Sequence, residues 1–361
     1  MRLDWGAVIQ AAWCGVPSLL FTIGLLIKNT LMNYTMSACA GASGVAVVNV
    51  LGSVCGILGI FTGGFGSAYL SLAGLYYGEQ DRGSFTGLFK IAVRIGEICI
   101  LSITAVIILS SSFLSGLFFP AGTKAWEMGK QMFLLGFLFC PFNLLYSCLM
   151  NSRHAQNRMT LVNILSVAET SLVGVTAVCT VPLFGTAAAW LANAWVDILC
   201  IVVIIGYEWI TNRRTDLKVP TLLGLPDSFG ALPDAFREYC VKNMADVTAV
   251  SGEVMNFCKD REVGSRTAYF AGICVEEMAK NIVQHGSLPG KNSYVDVRVV
   301  VQEELTIRIR DNCPEFDPRK RMEMFHPESP EQNIGIRLTA GLARQIDYYN
   351  NAGINTLLMK I

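Results

Sequence analysis

The stretch VAVVNVLGSVCGILGIFTGGFGSAYLSLAGL, from Val45 to Leu75, is long and apolar enough to cross a lipid bilayer. A transmembrane helix needs about 20 consecutive, mainly apolar residues. Further runs of this kind precede and follow it: Val8–Met32, Gly87–Ser110, Met132–Met150, Leu161–Val181 and Ala187–Trp209. We therefore predict that the first part of the chain is a membrane-embedded all-α bundle of about six transmembrane helices.

The composition of the whole chain agrees with a membrane protein. Its 361 residues are 52% hydrophobic and 16% charged, and the mean hydropathy is +0.45. Lys and Arg together number 28, as do Asp and Glu. This balance, without a Lys/Arg-rich stripe, argues against nucleic acid as a partner. The 12 Cys include no C-x-x-C pair and the chain has only three His, so neither a zinc site nor a disulfide framework is expected.

The charged residues are concentrated in the second part of the chain. Residues 1–210 contain 9 Lys/Arg and 8 Asp/Glu, whereas residues 211–361 contain 19 and 20. The hydropathy of the sequence also falls at the boundary between these two ranges. We predict a transmembrane domain over residues 1–215 and a water-soluble cytoplasmic domain over residues 216–361.

The basic residues of the loops predict the orientation of the bundle. An even number of helices places both termini on one side of the membrane. That side collects most of the basic loop residues: Arg2, Arg82, Arg153, Arg158, Arg213, Arg214 and Lys218. The other side has Lys124 and Lys130, with Lys28 near a helix end. By the positive-inside rule, we predict a multi-pass protein of the cell membrane with its N- and C-termini in the cytoplasm.

Several segments of the apolar part resemble one six-helix half of a transporter of the MATE (multidrug and toxic compound extrusion) family. They are GVPSLLFTIGLLIKNTLMN at 15–33, GLYYGEQDRGSF at 74–85, NSRHAQNR at 151–158 and PLFGTAAAWLANAW at 182–195. Full-length members contain two such halves with the substrate path between them. The resemblance therefore implies either a half transporter, or antiporter, for small molecules that pairs as a homodimer, or a bundle that no longer transports.

Three acidic residues lie inside the predicted spans, where ionisable groups are commonly functional: Glu97, Glu169 and Asp197. Glu97 is one turn from Arg94, so a structural ion pair is an alternative for it. Family members that couple transport to cations tend to use carboxylates on the first and fourth helices of a half. The corresponding runs here contain none, which weakens the transport hypothesis.

The soluble part has a mixed α/β pattern from about Leu222 onwards. The predicted elements are helices at Asp246–Cys258 and Arg266–Gly286, strands at Tyr294–Val301 and Leu305–Asp311, a helix at Gly335–Ile346, and a closing segment with a turn at Asn351–Gly353. The two strands are separated by a short QEE turn and form a predicted hairpin. This order predicts an α+β sandwich with helices on one face of a mostly antiparallel sheet.

The second of these helices carries the sharpest motif, ICVEEMAKNIVQHG at 273–286. Glu277, Asn281 and His285 recur every four residues and therefore share one helix face. The apolar residues between them face the core: Val275, Met278, Ala279 and Ile282. A polar stripe of this composition suits a ligand site, and the alternative is a solvated helix face.

The pattern E-x-x-x-N-x-x-x-H is similar to the N box of GHKL (histidine kinase-like) ATPases, in the branch of the anti-sigma-factor serine kinases. In that family the Asn binds the Mg²⁺ that bridges the phosphates of ATP, and the Glu acts as general base. The resemblance therefore implies ATP and Mg²⁺ as cofactors, Asn281 as metal ligand, Glu277 as catalytic residue and His285 as part of the cofactor site. Phosphoryl transfer depends mainly on positioning and charge neutralisation, which suits these residue types.

Two further segments follow in the family's order. Asp311, followed by NCPEFDP, is similar to the D-x-G-x-G box, whose Asp accepts a hydrogen bond from the adenine amino group. Cys313 and Glu315 replace the two glycines, which predicts a crowded phosphate pocket. NIGIRL at Asn333–Leu338 is similar to the Gly-rich box and retains Gly335 at a helix start, where phosphate binds well. For Asp311 alone, a turn-forming role at the strand end is the alternative.

Three functions follow from these resemblances. The first is a membrane-anchored ATP-binding regulatory protein, a serine/threonine kinase that acts on a protein substrate or antagonist through Glu277. The second is a transporter half with a nucleotide-sensing domain. The third is a catalytically inactive pseudo-ATPase.

The segment Arg319–Gln332 between the last two boxes is predicted to be a short lid. Its basic residues Arg319, Lys320 and Arg321 are predicted to be solvated.

Overall fold

A computed structural model describes residues 5–212, 216–286, 294–323, 334–351 and 353–361. The chain divides into two compact units, Met1–Phe229 and Gly230–Ile361. The regular elements described in the first unit are all helices, and the second unit combines helices with one five-stranded sheet. The predicted fold class, a helical membrane bundle followed by an α+β domain, is confirmed.

The first unit contains the helices α1 (Trp5–Gly78), α2 (Arg82–Leu109), α3 (Ser111–Phe118), α4 (Lys124–Leu135), α5 (Cys140–Ala155), α6 (Met159–Phe184), α7 (Ala187–Asn212) and α8 (Val219–Leu222). Within the described residues, four helices are long and apolar enough to span a membrane, and the bent pair α4–α5 would make a fifth span. Helix α1 is interrupted at Gly41, where φ is 67° and ψ is −155°. Glycine adopts such angles readily, and the break separates the first two predicted spans.

The predicted span Met132–Met150 is not one continuous helix. Helix α4 ends at Leu135, α5 begins at Cys140, and the two are bent by 48° relative to each other. Pro141 lies in the first turn of α5. Proline has no N–H to donate, and its ring clashes with the carbonyl four residues earlier, so a helix tends to start at this residue rather than continue through it.

Buried ion pairs and hydrogen bonds stabilise the segment after α7 against the helices. Glu208 on α7 is fully buried and accepts hydrogen bonds of 2.9 Å from both Arg153 and Arg158. Arg153 also donates to the Leu222 carbonyl at 3.0 Å, and Arg158 donates to the Gly224 carbonyl at 2.7 Å. Arg153 and Arg158 therefore bind both the buried Glu208 carboxylate and backbone carbonyls of the segment that follows α7.

A third basic loop residue contacts the end of the same segment. Arg82 donates to the carbonyl oxygens of Pro226 and Asp227, each at 3.1 Å. The ring of Phe229 stacks on Tyr77, with centroids 4.8 Å apart. Residues 219–229 thus pack as part of the helical unit.

The second unit contains β1 (Phe236–Val241), α9 (Met244–Asp260), α10 (Ser265–His285), β2 (Val295–Val301), β3 (Leu305–Asp311), α11 (Pro318–Glu323), α12 (Ile334–Leu342), β4 (Gln345–Asn351) and β5 (Ile354–Lys360). The strand order is β1-β2-β3-β5-β4, and all neighbours are antiparallel. Buried valines and isoleucines of β2 and β3 form a core with the apolar faces of α9 and α10. The predicted hairpin is confirmed, with Val295 opposite Asp311.

Two details of this unit differ from the sequence prediction. The helix expected over Gly335–Ile346 ends at Leu342, because Ile346 pairs with Met359 in the sheet. Strand β1 was not predicted. It lies at the sheet edge and most of its side chains are partly or fully exposed, so it lacks the strong alternation of a half-buried strand.

Candidate functional site

A cavity of about 550 Å³ opens in the second unit between α10, the end of β3 and the start of α12. All the predicted site residues lie on its wall: Glu277, Asn281, His285, Asp311 and Gly335. Its volume is in the range of small-molecule sites. Residues that are more than 50 positions apart in the sequence therefore line the same cavity.

Helix α10 positions three of these residues. Its apolar face is anchored in the core, since Val275 and Ala279 are fully buried and Met278 is 4% exposed. Glu277 and Asn281 lie one turn apart and are half-buried, and both line the cavity. The amphipathic pattern of α10 thus directs a carboxylate and an amide into the cavity.

Gly335 lies in the first turn of α12 and is in close contact with Glu277. A Cβ atom at this position would overlap the Glu277 carboxylate and would lie 3.2 Å from the Glu277 Cβ. Only glycine permits this approach with the Glu277 side chain in place. The start of α12, where backbone N–H groups are unpaired, is therefore held beside a carboxylate of α10.

Asp311 is the last residue of β3 and is 7% exposed. Its Oδ1 accepts hydrogen bonds from Asn355 Nδ2 at 2.7 Å and from the Cys313 N–H at 2.9 Å. Burial raises the pKa of Asp311, while the hydrogen bonds from Asn355 and Cys313 act in the opposite direction. The carboxyl group accepts a hydrogen bond from the backbone two residues later and also lines the cavity.

Asn355 was missed by sequence reasoning. It lies on β5 directly opposite Asp311 and is 3% exposed. Its Nδ2 donates to the Cys313 carbonyl at 3.0 Å as well as to Asp311, and its Oδ1 accepts from the Tyr348 hydroxyl at 2.8 Å. Burial raises the pKa of Tyr348, while the hydrogen bond from the Phe316 N–H acts in the opposite direction. Asn355 is recognised as a site residue only from its position opposite Asp311 in the pairing of β3 with β5. That pairing cannot be deduced from the sequence alone.

The two residues that replace the family's glycines differ in their surroundings. Cys313 is half-buried and faces Gly286, where a Cβ atom would lie 2.8 Å from the Cys313 Sγ. The cysteine side chain thus fits because the opposite wall has no side chain. Glu315 is exposed at the cavity rim. The replacements narrow the cavity and add a negative charge to its edge.

The polar residues of the cavity fit a nucleotide that brings its own metal ion. The described residues contain no group of three or more His, Cys, Asp or Glu side chains able to hold a metal. Mg²⁺ at phosphate sites commonly takes one or two protein oxygens, with the substrate and water supplying the rest. The side-chain oxygen of Asn281, on the cavity wall, matches that requirement.

The predicted lid is described only at its beginning. Arg319 pairs with Asp317 at 3.0 Å and donates to the Tyr348 carbonyl at 3.1 Å, so it is held against β4 rather than freely solvated. Lys320 is exposed, as predicted. The side chain of Arg321 and residues 324–332 lie outside the described part of the chain.

Both parts of the chain are similar to known proteins. Residues 241–361 match the family described as "Histidine kinase-like ATPase domain". Over 148 residues the chain is 30% identical to the "Probable multidrug resistance protein NorM" of Photorhabdus laumondii subsp. laumondii, which covers 40% of this chain and 31% of that protein. A solved structure of the MATE multidrug transporter DinF-BH in complex with R6G covers 75% of this chain and 56% of its own, with a TM-score of 0.44 and 14% identity.

The protein thus combines a part similar to a probable multidrug resistance protein with a segment that matches the histidine kinase-like ATPase domain family. The chain spans about a third of the length of the curated relative that it matches. The two predicted resemblances are confirmed.

Proposed function

We propose that this protein is a membrane-anchored regulatory protein that binds ATP and Mg²⁺ and acts as a serine/threonine kinase on a protein partner. The observation that carries the proposal is the meeting of Glu277, Asn281, Asp311 and Gly335 on one cavity wall. The match of residues 241–361 to a histidine kinase-like ATPase domain supports the choice of nucleotide.

Each residue has a distinct task in this proposal. Asp311 accepts a hydrogen bond from the adenine amino group, and Asn355 and Cys313 fix the orientation of its carboxyl. Asn281 offers an oxygen to the Mg²⁺ that accompanies ATP. The start of α12 at Gly335 offers backbone N–H groups to a phosphate. Bound Mg²⁺ would neutralise charge on the phosphates during transfer.

Glu277 is proposed to be the general base. Its carboxylate takes the proton of a serine or threonine hydroxyl, or of water, as that oxygen forms a bond to the γ-phosphorus. The bond from the γ-phosphorus to the bridging oxygen breaks, and ADP leaves with the electron pair. The crowding by Cys313 and the charge of Glu315 favour slow turnover, because small misplacements of reacting groups reduce rates steeply.

Glu277→Gln should lower ATP turnover by about 100-fold or more, the usual contribution of a general base, while ATP still binds. The amide keeps the size of the side chain but cannot take the proton. We would measure phosphate release and ATP affinity for the full chain in lipid nanodiscs. Glu276→Gln is the matched control, because Glu276 accepts a hydrogen bond from Ser251 and does not line the cavity.

Equal turnover in wild type and Glu277→Gln would contradict the role of Glu277. If wild type binds ATP but gives no turnover and no transfer to a partner, the pseudo-ATPase alternative replaces the kinase.

A second candidate function is favoured by the 148-residue similarity to the probable multidrug resistance protein. In this alternative the bundle is half of a transporter for small molecules, completed by a second copy of the chain, and the ATPase-like domain senses nucleotide. A homodimer that moves a solute across proteoliposomes would favour it over the kinase.

We also propose that both termini are cytoplasmic. Three basic residues from two different predicted loops, Arg82, Arg153 and Arg158, contact the segment that follows α7, so they lie at one end of the bundle. The positive-inside rule places that end in the cytoplasm. A C-terminal reporter that functions only in the cytoplasm should be active, whereas activity of a reporter that functions only outside it would contradict this orientation.

A further inference from the structure

The wall of the cavity in the second unit carries three acidic side chains and one lysine among its described residues. The acidic residues are Glu277, Asp311 and Glu315, and the lysine is Lys280. A triphosphate is strongly negative, so it needs cations to offset the acidic residues of this wall. Lys280 is the one lysine or arginine on the described part of the wall that can act together with Mg²⁺.

Two contacts identify the two ends of this cavity along α10. Near Glu277, the start of α12 comes so close that a Cβ atom at Gly335 would overlap the glutamate carboxylate. At the other end, a Cβ atom at Gly286 would lie 2.8 Å from the Sγ of Cys313, which follows Asp311 by two residues. The phosphate end of the proposed ATP site is therefore at Glu277, and the adenine end is at Gly286.

Lys280 belongs to the phosphate end of the cavity. It follows Glu277 by three residues on α10, and residues three apart are neighbours on a helix surface. At a rise of 1.5 Å per residue, Lys280 lies about 4.5 Å along the helix axis from Glu277 and about 9 Å from Gly286. Lys280 also precedes Asn281, the proposed Mg²⁺ ligand, and both residues line the cavity. The ammonium group is thus placed for the phosphates rather than for the adenine.

The ammonium group of Lys280 is not engaged by another described side chain. Within the described part of the chain, Lys280 forms no ion pair, either with Glu277 or with any other carboxylate. Lys280 is half-buried, whereas Lys242 and Lys259 of the same unit are exposed. A role as a solvated lysine on the helix surface does not account for this burial on a wall that also carries three acidic residues.

We propose that Lys280 binds the γ-phosphate of ATP and thereby makes the site prefer ATP to ADP. This role rests on the proposed ATP site and adds to it a residue to which the family resemblance assigns no task. Glu277 has to reach the oxygen that attacks the γ-phosphorus, so its neighbour Lys280 is assigned to the same phosphate. A lysine ammonium binds phosphate as a point charge with three donors. It stays protonated, so it neutralises charge and takes no part in the proton transfer to Glu277.

Equilibrium binding of ATP, ADP and adenosine to Lys280→Met tests this role, on the full chain in lipid nanodiscs with Mg²⁺. Methionine keeps an unbranched apolar side chain and removes the charge. We expect the affinity for ATP to fall about tenfold or more, the effect of losing one charge-assisted hydrogen bond. The affinities for ADP and adenosine should stay as in wild type. Lys280→Arg keeps the positive charge and should retain most of the preference for ATP.

Lys259→Met is the matched control, because Lys259 is exposed in the last turn of α9 and does not line the cavity. It should leave the affinities for all three ligands unchanged. Unchanged ATP affinity in Lys280→Met, or an equal loss for ATP and ADP, would overturn the γ-phosphate role and leave the nucleotide site in place. If wild type binds neither ATP nor ADP, the proposed ATP site fails together with this role.

Discussion

Replacing Glu208 by Ala should destabilise the helical unit by about 3–5 kcal/mol, the usual cost of removing one partner of a buried ion pair. The side chains of Arg153 and Glu208 are both 0% exposed and lie 2.9 Å apart. Without Glu208, the guanidinium of Arg153 stays buried with no counter-charge beside it. Arg158, the other partner, is 32% exposed and can turn towards water. The loss should also loosen the segment at Leu222 to Gly224, which the two arginines hold.

Thermal unfolding of the full chain in nanodiscs tests this result. The buried cysteines Cys148 and Cys200 lie in the helical unit and become labelled by a thiol-reactive dye only when it opens. Labelling of these two residues, followed by peptide mapping, should occur at a clearly lower temperature in Glu208→Ala.

The matched control is Asp227→Asn, which affects an ion pair on the surface of the same unit. Asp227 lies 3.9 Å from Arg82 and its side chain is 70% exposed. Exposed pairs contribute little, so the labelling temperature should match that of wild type. Similar temperatures for all three proteins would contradict the assigned role of Glu208.

Asp311→Asn should weaken ATP binding by at least about 100-fold. Oδ1 of Asp311 is fixed by the Asn355 amide and the Cys313 N–H, so an amide at residue 311 would keep its oxygen there. Its NH₂ group would then face the cavity, where it would meet the adenine amino group as a second donor. The hydrogen bond to adenine would be lost and two donors would be left unpaired.

Equilibrium binding of ATP to the full chain measures this effect, with circular dichroism to confirm that the variant is folded. Glu315→Gln makes the same chemical change at the rim of the same cavity. It removes a negative charge near the phosphates, so it should leave ATP binding unchanged or make it tighter. Unchanged affinity in Asp311→Asn would show that Asp311 only forms the turn.

Hydropathy and amphipathic spacing were sufficient to predict the class of both units. The break between α4 and α5 escaped prediction because hydropathy does not register backbone geometry, although Pro141 marked the place. Strand β1 escaped because an exposed edge strand has no buried face to impose alternation. The end of α12 was set by pairing of Ile346 with β5, which is a tertiary interaction.

The sequence was enough to predict which residues belong to the candidate site. The structure shows which other residues contact them. Spacing on α10 was enough to place Glu277 and Asn281 on one face. The close approach of Gly335 to Glu277 and the hydrogen bonds of Asn355 depend on how α12 and β5 pack, so the sequence alone could not predict them. The space for Cys313 likewise depends on Gly286 across the cavity.

The most direct test of the account is a titration of ATP onto the full chain, with Mg²⁺ and with a chelator, for wild type and Asn281→Ala. The account predicts that wild type binds ATP more tightly with Mg²⁺, because Asn281 supplies an oxygen to the metal that accompanies the phosphates. Asn281→Ala should bind ATP with the same affinity in both conditions. Failure of wild type to bind ATP, or a Mg²⁺ dependence that persists in Asn281→Ala, would contradict the proposed site.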